Sequence, residues 1–288
     1  MSIGEFLSSV SIILAAMALA VLIEVAVPLV RRSPRHQGRT RANLGLTAVT
    51  LLFNWALTSL AALLALGLAL DGWAPMSGIG LPFAVQLVIG IVVLDCFFGY
   101  LAHRALHMSS ALWRVHRVHH SDRFVDVTTT YRTHPIEVAW RFVFMIVPVW
   151  LLGIPAGAVV VYRLVSAING TLEHANIRLW APLDRALSLV LVTPNAHKVH
   201  HSRAQHETDS NFGNIFSIYD RVLRTFTPTD RGLAVVYGLD DIDLRGGQSL
   251  AILLSMPFRD GAPAPPVRAG RLEPVTSGLT TALDTQPR

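Results

Sequence analysis

The sequence predicts an all-α integral membrane protein with four to five membrane-embedded helices beneath a cytosolic helical cap. Hydrophobic residues make up 52% of the 288 positions and charged residues only 15%, a composition outside the range of ordinary soluble domains. Three apolar runs also reach the length of about 20 residues that a membrane-spanning helix needs. We expect one membrane domain over residues 1–260. Residues 261–288 offer little to bury, so we expect a disordered tail there.

The expected spans cover residues 6–30, 44–70 and 81–102. No Lys or Arg precedes the first run, and no small-residue cleavage site follows it, so we expect it to stay attached as a span. Two shorter apolar runs, 139–152 and 159–168, are separated by Gly153, Pro155 and Gly157. That spacing predicts a helical hairpin that enters the bilayer and returns.

The formal net charge of +5 does not indicate nucleic-acid binding, because the basic residues lie between apolar runs and not on one polar face. The first loop carries Arg31, Arg32, Arg35, Arg39 and Arg41. This loop is short enough for the positive-inside rule, which places it in the cytoplasm. Counting the spans from it puts every histidine cluster on the cytoplasmic side. Residues 184–260 are expected to form the cap, with 250–258 in the membrane interface.

The histidines are strongly clustered. Of the twelve in the chain, five lie within residues 103–120 and four within 197–206. The first cluster opens with an H-x-x-x-H pair and continues as H-x-x-H-H, and the second repeats H-x-x-H-H. Residues three and four apart share one face of a helix. The clustered positions are His103, His107, His116, His119, His120, His197, His200 and His201.

This density of imidazole predicts a metal site. Because Cys96 is the only cysteine, an intramolecular disulfide and a cysteine-based zinc or iron–sulfur site are excluded. With His134 and His174, which meet the same membrane face, there are ten candidate ligands. A tetrahedral zinc site takes four ligands at most. The count therefore favours two ions. Two ions bound by nitrogen ligands, with coordination positions left open beside a bilayer, suit activation of oxygen next to a lipid. A purely structural or pH-sensing role is the alternative, and we prefer a structural role for His36 and His206.

Four carboxylates are candidates for accepting the outer ring N–H groups of the ligand histidines. They are Asp95, Glu137, Glu173 and Asp220. The alternative for each is an ordinary interfacial charge. Asp95 is the most suggestive, because a carboxylate inside an apolar run is costly and usually has a partner.

Taken together, the segments HRALH, WRVHRVHHS, TTTYRTHPIE, EHAN, TPNAHKVHHS and NFGNIFSIYD, over residues 95–226, resemble the fatty acid hydroxylase/sterol desaturase superfamily of membrane non-haem di-iron oxygenases. The resemblance implies two irons bound by the eight clustered histidines and His174, with His134 a possible tenth ligand. It also implies O2 as co-substrate and hydroxylation or desaturation of a fatty acyl, sterol, alkylglycerol or carotenoid substrate. At 221–225 the chain departs from the Gly-Thr turn common in that family. None of the expected metal ligands lies there, so the departure affects the assignment of the substrate and not that of the metal ligands.

No segment resembles a cytochrome b5-like or ferredoxin domain, so the resemblance implies electrons from a separate donor protein with its reductase. We expect the lipid to enter from the bilayer between helices, with its apolar tail reacting. Two other functions are open: a divalent-cation transporter or metal sensor, and an inactive scaffold. A transporter would place its ligands near the bilayer midplane on broken helices, whereas these histidines lie at one end of the spans and beyond.

Overall fold

The computed structural model describes residues 3–31, 37–240, 242 and 248–259, and within them it contains helices and no strand. The expected all-α architecture is confirmed. The membrane part contains α1 Ile3–Ala26, α2 Gln37–Leu70, α3 Pro75–Gly78, α4 Phe83–Leu94, a π-helix Asp95–Leu101, α5 Ala102–Met108, α7 Pro135–Leu152 and α8 Ala156–His174. The cap contains α6 Ser110–His120, α9 Ala181–Leu187, α10 Pro194–His200, α11 Gln205–Thr208, α12 Ile218–Val222 and α13 Leu250–Ser255, with 3-10 turns at Val127–Thr129, Thr229–Leu233 and Met256–Phe258.

Four segments are long and apolar enough to cross a membrane. They are Leu7–Ala26, Gly38–Leu70, Phe83–Met108 and Pro135–Leu152. The first three are the spans expected from the sequence, and the fourth is the first arm of the expected hairpin. Their outward faces carry exposed leucines and valines such as Leu22, Leu63 and Val88, as lipid-facing surfaces do.

The α7–α8 hairpin is longer than its apolar runs indicated. Gly153 turns the chain with a φ of 59°, and a Cβ there would lie 2.6 Å from Pro75 Cδ. The Trp73 indole donates a hydrogen bond of 2.6 Å to the Trp150 carbonyl. The hairpin turn therefore lies beside the α2–α4 connection, and α7 and α8 extend as far from the cap as their neighbours. Polar residues near the end of α8, among them Asn169, Glu173 and His174, had shortened the apparent run.

Small residues bring α4 and α8 together in the apolar core. A Cβ at Gly90 would lie 3.2 Å from the Cβ of Ala158, so the two helices approach closely there, as membrane helices do at small residues. Leu94, Met145 and Tyr162 pack around this contact. The core therefore fixes the position of α4, whose continuation carries the first pair of histidines.

A buried polar cluster joins the start of α2 to the loop after α6. The guanidinium of Arg39 pairs with Asp122 at 2.7 Å and also with Asp126. Asn43 donates to Asp122 at 2.9 Å, and Arg132 donates to Asn43 at 2.7 Å. Burial alone would raise the pKa of Asp122, but Arg39 and Arg132 hold it below its ordinary value. Arg39, interpreted from the sequence only as a topology signal, thus ties α2 to the histidines of α6.

The C-terminal part of the cap packs on the same region. Leu253 and Met256 are buried against Ala42, Leu46 and Val118, while Phe258 is exposed. The segment expected at the membrane interface therefore covers α2 and α6 with part of its surface. The predicted disordered tail, as well as Arg32, Arg35 and His36, lies outside the described residues. The single-domain boundary at residue 260 stays a prediction.

We expect Arg39→Met to destabilise the protein by about 3–5 kcal/mol, because it leaves two buried carboxylates without their cation. The matched control is Arg41→Met, which removes an exposed arginine from the same turn of α2. Thermal unfolding of both variants in detergent micelles measures the difference. Equal unfolding temperatures for the Arg39 variant, the Arg41 variant and the native protein would contradict a structural role for the cluster.

Candidate metal centre

Nine buried histidines form two adjoining groups at the cap end of the helices. Within each group, one ligand atom per residue can be chosen so that all lie within 4.8 Å of one another. Group one contains His103, His107, His116, His120 and His200, and group two contains His119, His174, His197 and His201. Group one exceeds the four positions of a tetrahedral zinc site.

The two H-x-x-H-H triplets are divided between the groups in opposite ways. His116 and His120, four residues apart on α6, enter group one, and His119 between them enters group two. The second triplet reverses this: His197 and His201 enter group two, and His200 enters group one. The first and last histidines of a triplet are one helical turn apart, whereas the middle one is rotated from them. Each triplet therefore holds both sites together.

The Nε2 atoms are closer than bare imidazoles would tolerate. Those of His174, His197 and His201 form a triangle with sides of 3.0, 3.1 and 3.2 Å. One proton cannot bridge three such nitrogens, and three lone pairs repel. Nitrogens at right angles on one metal, each about 2.1 Å from it, lie about 3.0 Å apart. In group one, Nε2 of His107 and of His200 are buried with no hydrogen-bond partner in the described chain. Both groups therefore fit a metal ion.

Hydrogen bonds to the outer ring nitrogen orient five of the nine histidines. In these residues Nδ1 meets an oxygen acceptor at 2.7–3.2 Å. Donation from Nδ1 leaves the lone pair on Nε2, which points inward, and raises its basicity. The pairs are His103 with the Phe212 carbonyl, His107 with Asp209, His116 with Glu137, His174 with the Gly170 carbonyl and His200 with the Ser210 carbonyl.

Burial disfavours the charged form of five imidazoles of the cap. Burial, followed by the neighbouring histidines, lowers the pKa of each of them well below the ordinary value. A neutral imidazole is the form that binds metal. These five residues are His119, His120, His197, His200 and His201.

The four carboxylates expected around the ligands have different positions. Glu137 accepts from His116 at 2.8 Å and from Arg141 at 3.0 Å. Glu173 lies 3.8 Å from Nδ1 of His174 and 3.9 Å from Nε2 of His197, outside hydrogen-bond distance. It is therefore near the ligands without orienting them.

Asp95 and Asp220 hold the backbone of the loop after α11 and make no hydrogen bond to a described histidine. Asp95 accepts a hydrogen bond from the Phe216 N–H at 3.0 Å. Because residues Asp95–Leu101 form a π-helix, the α-helical spacing that placed Asp95 two turns before His103 does not apply. Asp220 accepts from the N–H groups of Phe212 and Gly213, both at 2.8 Å. Since the Phe212 carbonyl accepts from His103, Asp220 positions that ligand through the loop.

Asp209 was missed by the sequence analysis, although its Oδ1 lies 3.2 Å from Nδ1 of His107. It lies in the polar segment after the second triplet, where no periodicity assigns it to a partner. His134, in contrast, is outside both groups. Its Nδ1 accepts from the Ile136 N–H at 3.2 Å, which caps α7, and its Nε2 lies 3.2 Å from the Leu254 carbonyl. We therefore leave His134 out of the proposed ligands. His206 is also outside both groups, with 75% of its side chain exposed.

A cavity of about 110 Å³ adjoins both groups and is lined by His103 of group one and by His119, His174 and His197 of group two. Its remaining wall comes largely from α7 and α8 and includes four charged residues, Glu137, Arg141, Arg163 and Glu173. Glu137 and Glu173 were expected near the ligands from the sequence, but no pattern indicated Arg141 or Arg163. A small molecule in the cavity would lie next to metal bound by either group.

Residues 87–225 match the sequence profile of the fatty acid hydroxylase family. The match includes all nine grouped histidines and the loop that orients them. These residues form a fatty acid hydroxylase domain. The resemblance noted in the sequence is thereby confirmed at the level of the family. No solved structure matches the chain.

Curated relatives share this domain. Ornithine lipid hydroxylase OlsE of Rhizobium tropici is 37% identical over 147 residues, which cover 50% of this chain and 43% of the relative. Alkylglycerol monooxygenase of Caenorhabditis elegans is 31% identical over 143 residues, covering 50% of this chain and 27% of the relative. The human alkylglycerol monooxygenase is 30% identical over 144 residues, covering 49% and 31%. The matched segment thus spans less than half the length of each relative.

We propose that each group binds one ion. His120→Ala and His197→Ala, one from each group, should then each remove about one metal ion per chain, while His134→Ala should keep the native content. Elemental analysis of the purified variants checks this. A loss of metal in the His134 variant equal to that in the others would contradict the ligand assignment.

Asp209→Ala should weaken metal binding roughly 10–100-fold, as removal of an outer partner of a ligand histidine usually does. Titration with a competing chelator measures the affinity. Asp230→Ala is the control, because it removes an exposed carboxylate from the same cap. If both variants release metal at the same chelator concentration as the native protein, Asp209 has no role in orienting His107.

Proposed function

We propose that the chain is a membrane-bound di-iron oxygenase that hydroxylates or desaturates a lipid, using O2 and two electrons from a separate ferredoxin- or cytochrome b5-like donor. The observation that carries this proposal is the pair of histidine groups facing one cavity. Imidazole is a ligand for iron, and sites with positions left open for O2 are typical of non-haem iron oxygenases. The family match and the names of the relatives, a lipid hydroxylase and an alkylglycerol monooxygenase, support a lipid substrate.

In this proposal, group one holds one iron and group two the other. The two ions would supply the electrons and the coordination positions for reductive activation of O2, the chemistry that an unactivated C–H bond requires. Hydroxylation takes up one O2, two electrons and two protons, and yields the alcohol and one water. Desaturation takes up the same reactants and yields the alkene and two waters.

The protein's own residues hold, orient and shield the site. Nδ1–H donation to Glu137, Asp209 and the loop carbonyls fixes the imidazole planes of four histidines in group one. Donation to the Gly170 carbonyl does the same for His174 in group two, so these five ligands are oriented before substrate arrives. All nine histidines are buried, and the cavity has room for only part of a lipid. Exclusion of water protects the reaction from unproductive reduction of O2.

The proposed topology places the site on the cytoplasmic side. The start of α2, the end of α5, the start of α7 and the end of α8 all meet at the histidine groups, so one membrane face carries the whole centre. Arg39 and Arg41, at the start of α2, lie at this face, and the positive-inside rule makes it cytoplasmic. A soluble electron donor could then reach the cap directly.

A cation transporter is the competing function. Transport sites lie near the bilayer midplane, between helices that are broken there. Here six of the nine grouped histidines lie on α6, on α10 or directly after α10, beyond the membrane-length segments. This placement favours a fixed catalytic centre over a transport path.

Purified protein should contain about two irons per chain and should consume O2 when given a chemical reductant and a lipid extract from its own membranes. Mass spectrometry of the extract should show a lipid that gains one oxygen or loses two hydrogens. His197→Ala is the matched control and should abolish both signals. Metal flux into vesicles without O2 consumption or lipid change would refute the oxygenase and favour a transporter.

A further inference from the structure

Three adjoining cavities run from the histidine groups along the seam between α1, α2 and α8. The metal-side cavity is the one described above. A middle cavity of about 60 Å³ shares Asn54, Tyr131, Arg163 and Ala167 with it. An outer cavity of about 560 Å³ shares Ser9 and Val160 with the middle one. The series leads from the cap end of α8 to its first turn, and thus through the depth of the helix bundle.

The character of the wall changes along this series. The metal-side cavity carries charged and amide side chains from α2, α7 and α8. Aliphatic residues make up about half of the walls of the middle and outer cavities, among them Ile13, Leu51, Leu164, Ala62 and Leu66. The charged residues in these two walls are Arg163, next to the metal-side cavity, and Glu5, in the outer cavity. A lipid in the membrane leaflet nearest the cap has the same direction of polarity, with its head towards the cap and its tail towards the bilayer centre.

Arg163 lies where the two environments meet, because it lines both the metal-side and the middle cavity. One guanidinium N–H donates to the Asn54 amide oxygen at 2.7 Å, and the guanidinium carbon lies 4.2 Å from the centre of the Phe98 ring. Within the described residues no carboxylate forms an ion pair with Arg163, since Glu137 pairs with Arg141 and Glu173 lies against the histidines. An arginine at this depth, without a counter-charge, is costly unless a ligand supplies one.

We propose that Arg163 binds an anionic oxygen group of the lipid, a carboxylate or a phosphate, and that the tail of that lipid occupies the middle and outer cavities. The planar guanidinium suits both groups, because it can donate two parallel hydrogen bonds. Arg163 is a specificity-determining residue in this account, and the assignment rests on the proposed lipid oxygenase. The metals then face the polar end of the substrate and not the end of its tail, in contrast to the expectation of an apolar reacting segment.

Binding can be measured without turnover, by fluorescence quenching of Trp55, which lines the middle cavity. The probes are 9,10-dibromostearic acid and 9,10-dibromooctadecan-1-ol, which share a quenching tail and differ in head charge. The variants are Arg163→Gln, Arg163→Lys and, as a control, Arg178→Gln, which removes an exposed arginine. Trp55→Phe identifies the part of the quenching that comes from the middle cavity. Competition by unbrominated stearate and by octadecyl phosphate separates the two anions.

Arg163→Gln should weaken binding of the brominated acid by about tenfold or more, the effect of losing a charge-assisted hydrogen bond. It should leave the alcohol nearly unchanged, and Arg163→Lys should recover part of the loss. The better of the two competitors identifies the anion. Equal affinity of the acid for native protein and Arg163→Gln, or an equal loss for acid and alcohol, would overturn the proposal.

O2 consumption measured on the same preparations separates this inference from the proposed function. Arg163-dependent binding without O2 consumption would refute the oxygenase and keep the anion site. O2 consumption together with binding that does not depend on Arg163 would refute the anion site and keep the oxygenase.

Discussion

The rest of the structure depends on one constraint: nine imidazoles are held in a buried space with their Nε2 atoms pointing at one another. The Nε2 atoms of His174, His197 and His201 lie 3.0–3.2 Å from one another, an arrangement that hydrogen bonds cannot satisfy at all three atoms and that is natural for ligands of one ion. Burying so many nitrogens without a partner would cost more than a domain of this size can offset. The centre is therefore suited to metal ions, which would satisfy nitrogens that packing alone leaves without a partner.

The protein meets this constraint by having α6 and α10 each supply histidines to both groups. Each H-x-x-H-H triplet contributes to both groups, so α6 and α10 cannot separate without disrupting both. Arg39 anchors the loop after α6 to α2, and Asp220 holds the loop whose carbonyl orients His103. Charges buried for these purposes are costly unless paired. Their placement around the ligands shows how much of the polar interior is devoted to keeping the imidazoles in position.

The features that follow from apolar length and from helical spacing could be predicted from the sequence. Apolar length predicted α1, α2 and α4, and spacings of three and four predicted that the histidines share helix faces. It could not show that the middle histidine of each triplet joins the other group, because that depends on how α6 and α10 cross. The positions of Asp209 and His134 depend on loop geometry, for which no sequence pattern exists. The length of α7 and α8 at the cap end was hidden by polar residues such as Glu137 and Glu173, which line a cavity.

The central claim is that two metal ions lie side by side, one in each histidine group. An experimental structure of the protein purified with its native metal, with anomalous difference density collected on both sides of the iron absorption edge, tests it most directly. The account predicts two iron peaks, one surrounded by Nε2 atoms of group one and the other by those of group two, with none at His134. A single peak, a peak at His134, or anomalous signal from zinc alone in a four-coordinate site would contradict it.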